Sequence, residues 1–168
     1  IGILFTIYNP LDTSIYSVGG IILAASMLLI AKFYEQLLNI RSFFYISLIV
    51  EFMMLLTIVI FMILKYSLAS ALLIYIGYQF TFIFGGYLVR AETLVAEDKE
   101  LLGKIDVNKQ LGYLIGLGAS FIFYKILEYG FEITESKTQI SILHYFLISL
   151  QTLIILLLIK SFSTSKEQ

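Results

Sequence analysis

The sequence predicts an all-α integral membrane protein, a polytopic bundle of transmembrane helices. Hydrophobic residues make up 60% of its 168 positions, and the mean hydropathy is +0.94. A soluble domain is typically about 45–50% apolar. Charged residues make up only 14%, and they cluster between long apolar runs. This chain has more apolar surface than one core of its size can bury, so we expect lipid to be its solvent.

The apolar runs are long enough to cross a bilayer as helices, because about 20 apolar residues span its hydrocarbon layer. They are too long and continuous for barrel strands, and open strand edges would leave backbone groups unpaired in lipid. The predicted spans are Ser14–Phe33, Phe43–Leu64, Leu68–Val89, Lys109–Leu127 and Ile140–Ile159. We interpret Ile1–Tyr8 as the outer end of a helix that starts before this sequence. Residues 1–168 would then form one six-helix bundle with its first helix truncated, a fragment of a longer protein.

Lysine and arginine residues predict the orientation, because cytoplasmic loops of membrane proteins are enriched in them. When the loops are assigned alternately to two sides, eight of the eleven basic residues fall on one side. That side holds Lys32, Arg41, Arg90, Lys99, Lys104, Lys109, Lys160 and Lys166, and the other holds Lys65, Lys125 and Lys137. We therefore expect the C-terminus to be cytoplasmic and the protein to lie in a bacterial inner membrane.

Several functional classes are disfavoured by what the sequence lacks. The net charge is −1 and no basic block occurs, so nucleic-acid binding has no electrostatic basis. There is no cysteine, and the motifs of zinc hydrolases, serine hydrolases and P-loop ATPases are missing. The sequence predicts no enzyme, no cofactor and no metal site. Its expected partners are the lipid bilayer and a small solute that the sequence does not identify.

Glu51 is the strongest candidate functional residue. It lies about nine residues into the second full span, which is roughly 12–14 Å deep and near the bilayer centre. A charge at that depth costs at least about 2.5–3.5 kcal/mol on insertion scales. Glu51 is therefore either neutral or turned toward a polar interior. It is a candidate for proton or ion coupling, and the alternative is a structural carboxyl group bonded to a neighbouring helix.

Three further polar residues lie inside the spans. His144 is a second candidate for proton or ion coupling, because histidine titrates near physiological pH, although a packed histidine with one hydrogen bond is the commoner case. It lies at a different depth from Glu51, so the two are not expected to pair directly. Gln79 is a candidate for the substrate path. Gln79 and Gln151 could both contact a substrate, although such side chains more often form hydrogen bonds that tie one helix to another.

Glycines and charges mark two other features. Gly112 and Gly116 form a GxxxG pattern, which predicts close helix packing, and Gly19-Gly20 and Gly85-Gly86 are further predicted contact points. The charged segment between the third and fourth full spans, residues 90–108, is interpreted as a solvated loop or an amphipathic helix with a Glu100–Lys104 pair. Arg90 and Glu92, at the membrane edge, are candidates for a cytoplasmic gate.

The stretch from the third into the fourth full span resembles the major facilitator superfamily. The similar segments are GGYLVRAE (residues 85–92) and NKQLGYLIG (residues 108–116). Residues 31–41, AKFYEQLLNIR, hold only scattered charges where the family has a Gly-x-x-x-Asp-Arg-x-Gly-Arg-Arg pattern, and the fourth full span lacks the family's proline. In that fold the helices that would carry Glu51 and His144 are peripheral, which favours Gln79 for the substrate path.

This resemblance implies one six-helix half of a secondary active transporter that moves a small solute, with ion coupling as an option. Because the substrate site of such transporters lies between repeats, the resemblance also implies a second half of the same chain or a homodimer partner. The alternative is a non-transporting membrane scaffold, assembly factor or sensor.

Overall fold

The computed structural model describes residues 11–96 and 98–164, apart from the side chains of Val95 and Thr164, and these residues form helices without any strand. The helices are α1 (Thr13–Lys32), α2 (Tyr34–Leu37), α3 (Ile40–Leu64), α4 (Leu68–Ala96), α5 (Lys99–Gly130) and α6 (Ser136–Thr164). All but α2 are long and apolar enough to cross a membrane. The predicted all-α class and the five full spans are confirmed, and the chain is an integral membrane protein. The predicted helix end at Ile1–Tyr8 lies outside the described residues.

The charged segment between the third and fourth full spans is mostly helical. α4 continues to Ala96 and α5 begins at Lys99, so the solvated-loop interpretation is wrong for most of residues 90–108. The amphipathic alternative fits, since Lys104 Nζ lies 2.7 Å from Glu100 Oε1. α5 has 32 residues, which gives it a length of about 48 Å. That exceeds the roughly 30 Å hydrocarbon layer, so its charged first turns extend beyond the lipid.

Side chains cap the first amide groups of three helices, which have no partner within the helix. Asp12 accepts from Ser14 N at 2.8 Å, Asn39 from Ser42 N at 2.9 Å, and Asp98 from Glu100 N at 3.1 Å. Hydrogen bonds from Ser14 hold the pKa of the Asp12 carboxyl group below its usual value. Each cap therefore marks where the chain leaves a loop and enters a helix.

α3 lies at the centre of the packing, with α4 on one side and α6 on another, while α1 packs against α4. One buried cluster joins the C-terminal end of α3 to α4 and α6, and a second joins its N-terminal half to α4. The first contains Leu11, Phe61, Ala71, Ile74 and Ile140. The second contains Ile46, Tyr87 and Ala91. Most other large apolar side chains are exposed, as expected for a bundle surrounded by lipid.

The α3–α4 turn and the start of α6 lie at the same end of the bundle, which we call the Tyr66 end. The Tyr66 hydroxyl donates to Lys137 O at 2.5 Å, and the Lys137 ammonium lies 5.3 Å from the centre of the Tyr66 ring. Lys65 and Lys137 are therefore on one side, as the alternating loop assignment requires. The short helix α2 lies at the opposite end, which we call the α2 end.

Two glycines allow neighbouring helices to approach closely. A Cβ atom on Gly77 of α4 would lie 2.0 Å from Thr57 Cγ2 of α3, and one on Gly19 of α1 would lie 2.1 Å from the Tyr75 hydroxyl oxygen of α4. Gly19 was a predicted contact point, whereas Gly77 was missed. Lipid tails are as apolar as the side chains, so this close packing replaces the hydrophobic effect as a source of helix association.

The other predicted glycine contacts are weaker. A Cβ atom on Gly86 would lie 3.6 Å from Met27 Cε, which is ordinary contact. Gly20 and Gly85 face no atom within 4 Å among the described residues. The close helix contact predicted at Gly20 and Gly85 is therefore absent among the described residues.

The Gly77–Thr57 contact predicts a stability difference between two glycines of α4. Gly77→Ala should destabilise the protein by about 1–3 kcal/mol, because the added methyl group overpacks the α3–α4 contact. Gly85→Ala is the matched control and should be neutral or stabilising by up to about 1 kcal/mol. Thermal unfolding in detergent measures both changes.

A second substitution tests whether the contact with Thr57 causes the loss of stability in Gly77→Ala. Thr57→Ser removes Cγ2 but keeps the hydroxyl group that donates to Met54 O at 2.7 Å. In the Gly77→Ala background, Thr57→Ser should restore most of the lost stability. An absence of rescue would show that the contact is not the source of the loss.

Candidate functional site

The polar residues of the membrane centre lie along the contact between α3 and α6, which we call the α3–α6 seam. These antiparallel helices meet at three levels: Phe61 with His144, Glu51 with Gln151, and Phe44 with Phe162. On α6 the buried residues are Ile140, His144, Gln151 and Ile155. Their spacing of four, seven and four residues is the heptad spacing of a helix–helix seam. Two of these four seam positions are therefore polar.

Glu51 and Gln151 meet near the midpoints of their helices. Glu51 is the twelfth of 25 residues of α3 and Gln151 is the sixteenth of 29 residues of α6. Gln151 Nε2 lies 2.5 Å from Glu51 Oε2 and 3.1 Å from Glu51 O. Gln151 is 8% exposed, and Glu51 is half-buried. The structure thus supplies the partner of Glu51 that sequence spacing did not identify.

The backbone carbonyl group of Glu51 decides which way the Gln151 amide points. Amide oxygen and nitrogen are easily exchanged in placement, but a backbone oxygen only accepts hydrogen bonds. The atom of Gln151 that faces Glu51 O must therefore be the nitrogen. Its two N–H bonds are then directed at one backbone oxygen and one carboxyl oxygen of the same residue. Gln151 clamps both the backbone and the side chain of Glu51.

His144 is a packed residue of the same seam. It is 7% exposed, and its ring centre lies 3.9 Å from that of Phe61. Nδ1 lies 2.7 Å from Ile140 O, so Nδ1 carries the proton and donates to this carbonyl group. Seven residues separate His144 from Gln151, a rise of about 10 Å along α6. The structure gives His144 and Glu51 separate partners, as their predicted depths required.

Gln79 of α4 carries an unpartnered polar atom. Its Oε1 is buried and accepts no hydrogen bond from the residues that the structure describes. A buried amide oxygen without a donor costs about 1–3 kcal/mol, so a polar atom in this state calls for a partner. Gln79 is the twelfth of 29 residues of α4, close to the middle of its span. Gln79 thus lies near the membrane centre, and its Oε1 atom can accept a hydrogen bond from a further group.

The two candidate gate residues have different environments. Glu92 pairs with Lys109 across the α4–α5 junction, and the exposed fractions of the two side chains are 24% and 46%. Arg90 is exposed, and it forms no ion pair with the described residues. The structure therefore brings Glu92 to Lys109, not to Arg90. Lys109 was missed as a site residue, although its charge and its place at the start of a span were visible in the sequence.

Tyr87 fastens the α2 end of the bundle. It is 1% exposed, and its hydroxyl donates to Leu37 O, the last residue of α2, at 2.8 Å. Its ring lies 6.3 Å from that of Tyr34. The loop that lacks the major facilitator motif is thus held by a tyrosine of α4. Tyr87 lies in the segment GGYLVRAE, residues 85–92, but the sequence predicted no role for it.

α5 makes the fewest contacts with the other long helices. Leu127 is its single buried residue, and its contacts include the Glu92–Lys109 ion pair near one end and Phe123–Phe146, with ring centres 5.5 Å apart, near the other. Gly112 and Gly116 face no atom within 4 Å. The predicted close packing at this GxxxG pattern is therefore absent among the described residues. Both glycines lie on a surface open to lipid or to another protein segment.

Comparison of the chain with models of known families, with characterised proteins and with solved structures found no match. What bears on function is therefore the chain's own polar chemistry inside the membrane. The described residues hold no group of three or more histidine, aspartate and glutamate side chains able to bind a metal ion. The candidate site consists of Glu51 clamped by Gln151, with Gln79 as a separate polar position on α4.

The Glu51–Gln151 clamp predicts that removing one of its two polar side chains destabilises the protein more than removing both. Gln151→Leu should cost about 1–2 kcal/mol, because it removes an interhelical hydrogen bond and leaves the Glu51 carboxyl group without a donor. Glu51→Leu combined with Gln151→Leu should recover much of this loss, since apolar replacement of both members of a buried polar pair is often neutral. Unfolding free energies of the two single variants and the double variant measure the coupling.

Thr152→Val is the control, because Thr152 is exposed on the same turn of α6 and its hydroxyl donates only to its own helix, at Ile148 O. This variant should be near neutral. A double variant as unstable as Gln151→Leu would show that the two residues are not coupled.

Proposed function

We propose that this protein is a secondary active transporter of the major facilitator type that moves a small solute with ion coupling across a bacterial cytoplasmic membrane. The observation that supports ion coupling is the ionisable Glu51 at mid-membrane depth, held by Gln151 at 2.5 Å. Its helix α3 lies at the centre of the described packing and not at the periphery that the resemblance implies. A carboxyl group costs free energy at this depth, and intramembrane ionisable residues generally mark ion or substrate pathways. The basic residues at the α2 end support a cytoplasmic C-terminus.

Gln79 is the proposed substrate contact. Its buried Oε1 has no donor among the described residues, which suits a solute that brings a hydroxyl, amine or amide N–H group. Substrate sites of secondary transporters lie near the bilayer midplane, and Gln79 is close to the middle of α4. The position also agrees with the substrate path that the major facilitator resemblance implies.

The second half of the transport path is proposed to come from elsewhere. A substrate site between two repeats needs helices on both sides, and the five long helices of the described residues correspond to one repeat at most. A further segment of the same protein or a second copy would complete it. Glu92 with Lys109 is proposed as a gating ion pair, because it joins α4 to the charged first turns of α5.

Transport by proteoliposomes tests this function. The purified full-length protein is reconstituted with a pH-sensitive dye inside the vesicles, and pools of sugars, amino acids, organic acids and organic cations are added. We expect one solute class to drive a flux of protons. Glu51→Gln should reduce this flux at least about tenfold, because the amide cannot take part in ion coupling. Thr152→Val should transport normally.

A separate kinetic change is expected for the substrate contact. Gln79→Leu should raise the half-saturation concentration about 5–30-fold, the equivalent of one lost hydrogen bond of about 1–2 kcal/mol. Solute uptake measured over a concentration series gives this value. An unchanged half-saturation concentration would remove Gln79 from the substrate path.

The alternative function is a membrane scaffold or assembly factor, and the exposed face of α5 favours it. Gly112 and Gly116 lie on that face without neighbours among the described residues. In this case no solute would produce flux, Glu51→Gln would be silent, and Gly112→Leu would release a partner that copurifies with the parent protein. Loss of the partner together with intact flux would instead indicate that α5 binds the missing half of the transporter.

A further inference from the structure

We infer that the Glu51 carboxyl group binds a proton at the membrane centre and does not bind a metal cation. This deepens the proposed function, because it names the ion that Glu51 would couple to solute movement. The physiological meaning rests on that function, but the binding chemistry does not. The geometry that carries the inference is the pair of N–H bonds that Gln151 directs at Glu51.

Metal cations and protons make opposite demands on the neighbours of a carboxylate. Na⁺, Mg²⁺ and Ca²⁺ are bound by several oxygen atoms that act as electron donors. The N–H groups of Gln151 carry partial positive charge and occupy the approach to Glu51 Oε2. A metal cation would be left with Oε1 alone, because the described residues hold no group of three or more acidic or histidine side chains to complete its ligand set. Turning the amide over would offer its oxygen instead, but would place that oxygen 3.1 Å from the carbonyl oxygen Glu51 O, where two acceptors repel. The carbonyl group of Glu51 thereby keeps a donor facing the carboxyl group.

A proton fits the same arrangement without rearrangement. Oε2 accepts from Gln151 in both protonation states, because a carbonyl oxygen and a carboxylate oxygen are both acceptors. Oε1 has no hydrogen-bond partner among the described residues and can take up the proton, converting the carboxylate to a neutral carboxyl group. No other atom has to leave the site. The seam can therefore hold Glu51 in either state, which a proton-binding group must allow.

The titratable groups packed against α3 are one imidazole and several phenols. His144 of α6 is stacked on Phe61. The phenols are Tyr16, Tyr66, Tyr75 and Tyr78 at the cluster that contains Phe61, and Tyr34 and Tyr87 at the cluster that contains Ile46. Neither an imidazole nor a phenol has a carboxyl C=O vibration. An infrared signal of the carboxyl group therefore isolates Glu51 from its titratable neighbours.

Infrared difference spectroscopy tests the inference on the full-length protein in liposomes. Buffer is exchanged between high and low pH over the range in which the protein remains folded, and then between sodium, potassium and choline salts at fixed pH. The other eleven aspartate and glutamate side chains contribute to the spectra of both the parent protein and Glu51→Gln. We therefore expect the difference between these two spectra to contain a carboxyl C=O band that appears on acidification and does not respond to the metal cations. Glu51→Gln should remove this band, and Thr152→Val should leave it unchanged.

Gln151→Leu supplies a signature that a merely structural glutamate would not give. The band should persist but move to higher frequency, because the carboxyl C=O loses its N–H donor. Sodium or potassium ions that diminish the band in competition with protons would overturn the inference in favour of a cation site. If the spectra of the parent protein and Glu51→Gln differ by no pH-dependent carboxyl band, the inference is overturned in favour of a structural role.

This experiment is independent of solute transport. A titrating, Glu51-dependent band in a protein that moves no solute would retain the proton site and reject the transporter. Solute flux that survives Glu51→Gln, together with an absent band, would retain transport and reject the proton site. The two proposals can therefore fail separately.

Discussion

The bundle depends on how polar groups are satisfied where water is absent. In lipid, a backbone or side-chain group without a partner costs several kcal/mol, so a polar residue inside a span is stabilised by a partner on its own helix or on a neighbouring one. Gln79 Oε1 is the exception among the buried side-chain atoms of the described residues. The α3–α6 seam meets this demand twice. His144 donates to its own helix at Ile140 O, whereas Gln151 donates to α3 at two atoms of Glu51. The second arrangement fixes the register of two antiparallel helices, because a shift by one residue would lose both bonds.

The ends of the bundle are fastened by tyrosines. At one end the Tyr66 hydroxyl donates to Lys137 O, and at the other the Tyr87 hydroxyl donates to Leu37 O. Both acceptors are backbone carbonyl groups near helix termini. Leu37 O lies at the C-terminus of α2, where the helix supplies no partner for a carbonyl group, and Lys137 O lies in the first turn of α6. An aromatic ring with a hydroxyl tip suits such positions, since the ring packs on apolar neighbours while the tip reaches a polar group. Two end contacts and one central clamp thus connect α2, α3, α4 and α6.

α5 differs from the other long helices in chemistry and in packing. It contains Gly112, Gly116 and the charged turns that begin at Lys99. Its contacts include Lys109 with Glu92 of α4 and Phe123 with Phe146 of α6. Small residues on a membrane helix allow close approach by another helix, yet α4 and α6 are directed toward α3. The packing around α3 therefore leaves α5 as the helix with the most surface for a further segment or a partner. This holds for a transporter half and for a scaffold alike.

Hydrophobic run length by itself determined the all-α class and the five spans, because crossing the hydrocarbon layer is a local property of about 20 residues. It also located Glu51, Gln79, His144 and Gln151, since a polar residue inside such a run stands out without knowledge of its neighbours. One feature was left open and another was missed, both for local reasons. The sequence left open whether residues 90–108 form a loop or a helix, because hydropathy ends at the membrane surface, whereas backbone hydrogen bonding continues. The close contact at Gly77 was not predicted because nothing in its own helix distinguishes Gly77 from Gly85.

Only the tertiary structure decided which groups meet. It set Gln151 against Glu51, Lys109 against Glu92 and Thr57 against Gly77, because these contacts depend on the rotation and register of whole helices, which no single stretch of sequence contains.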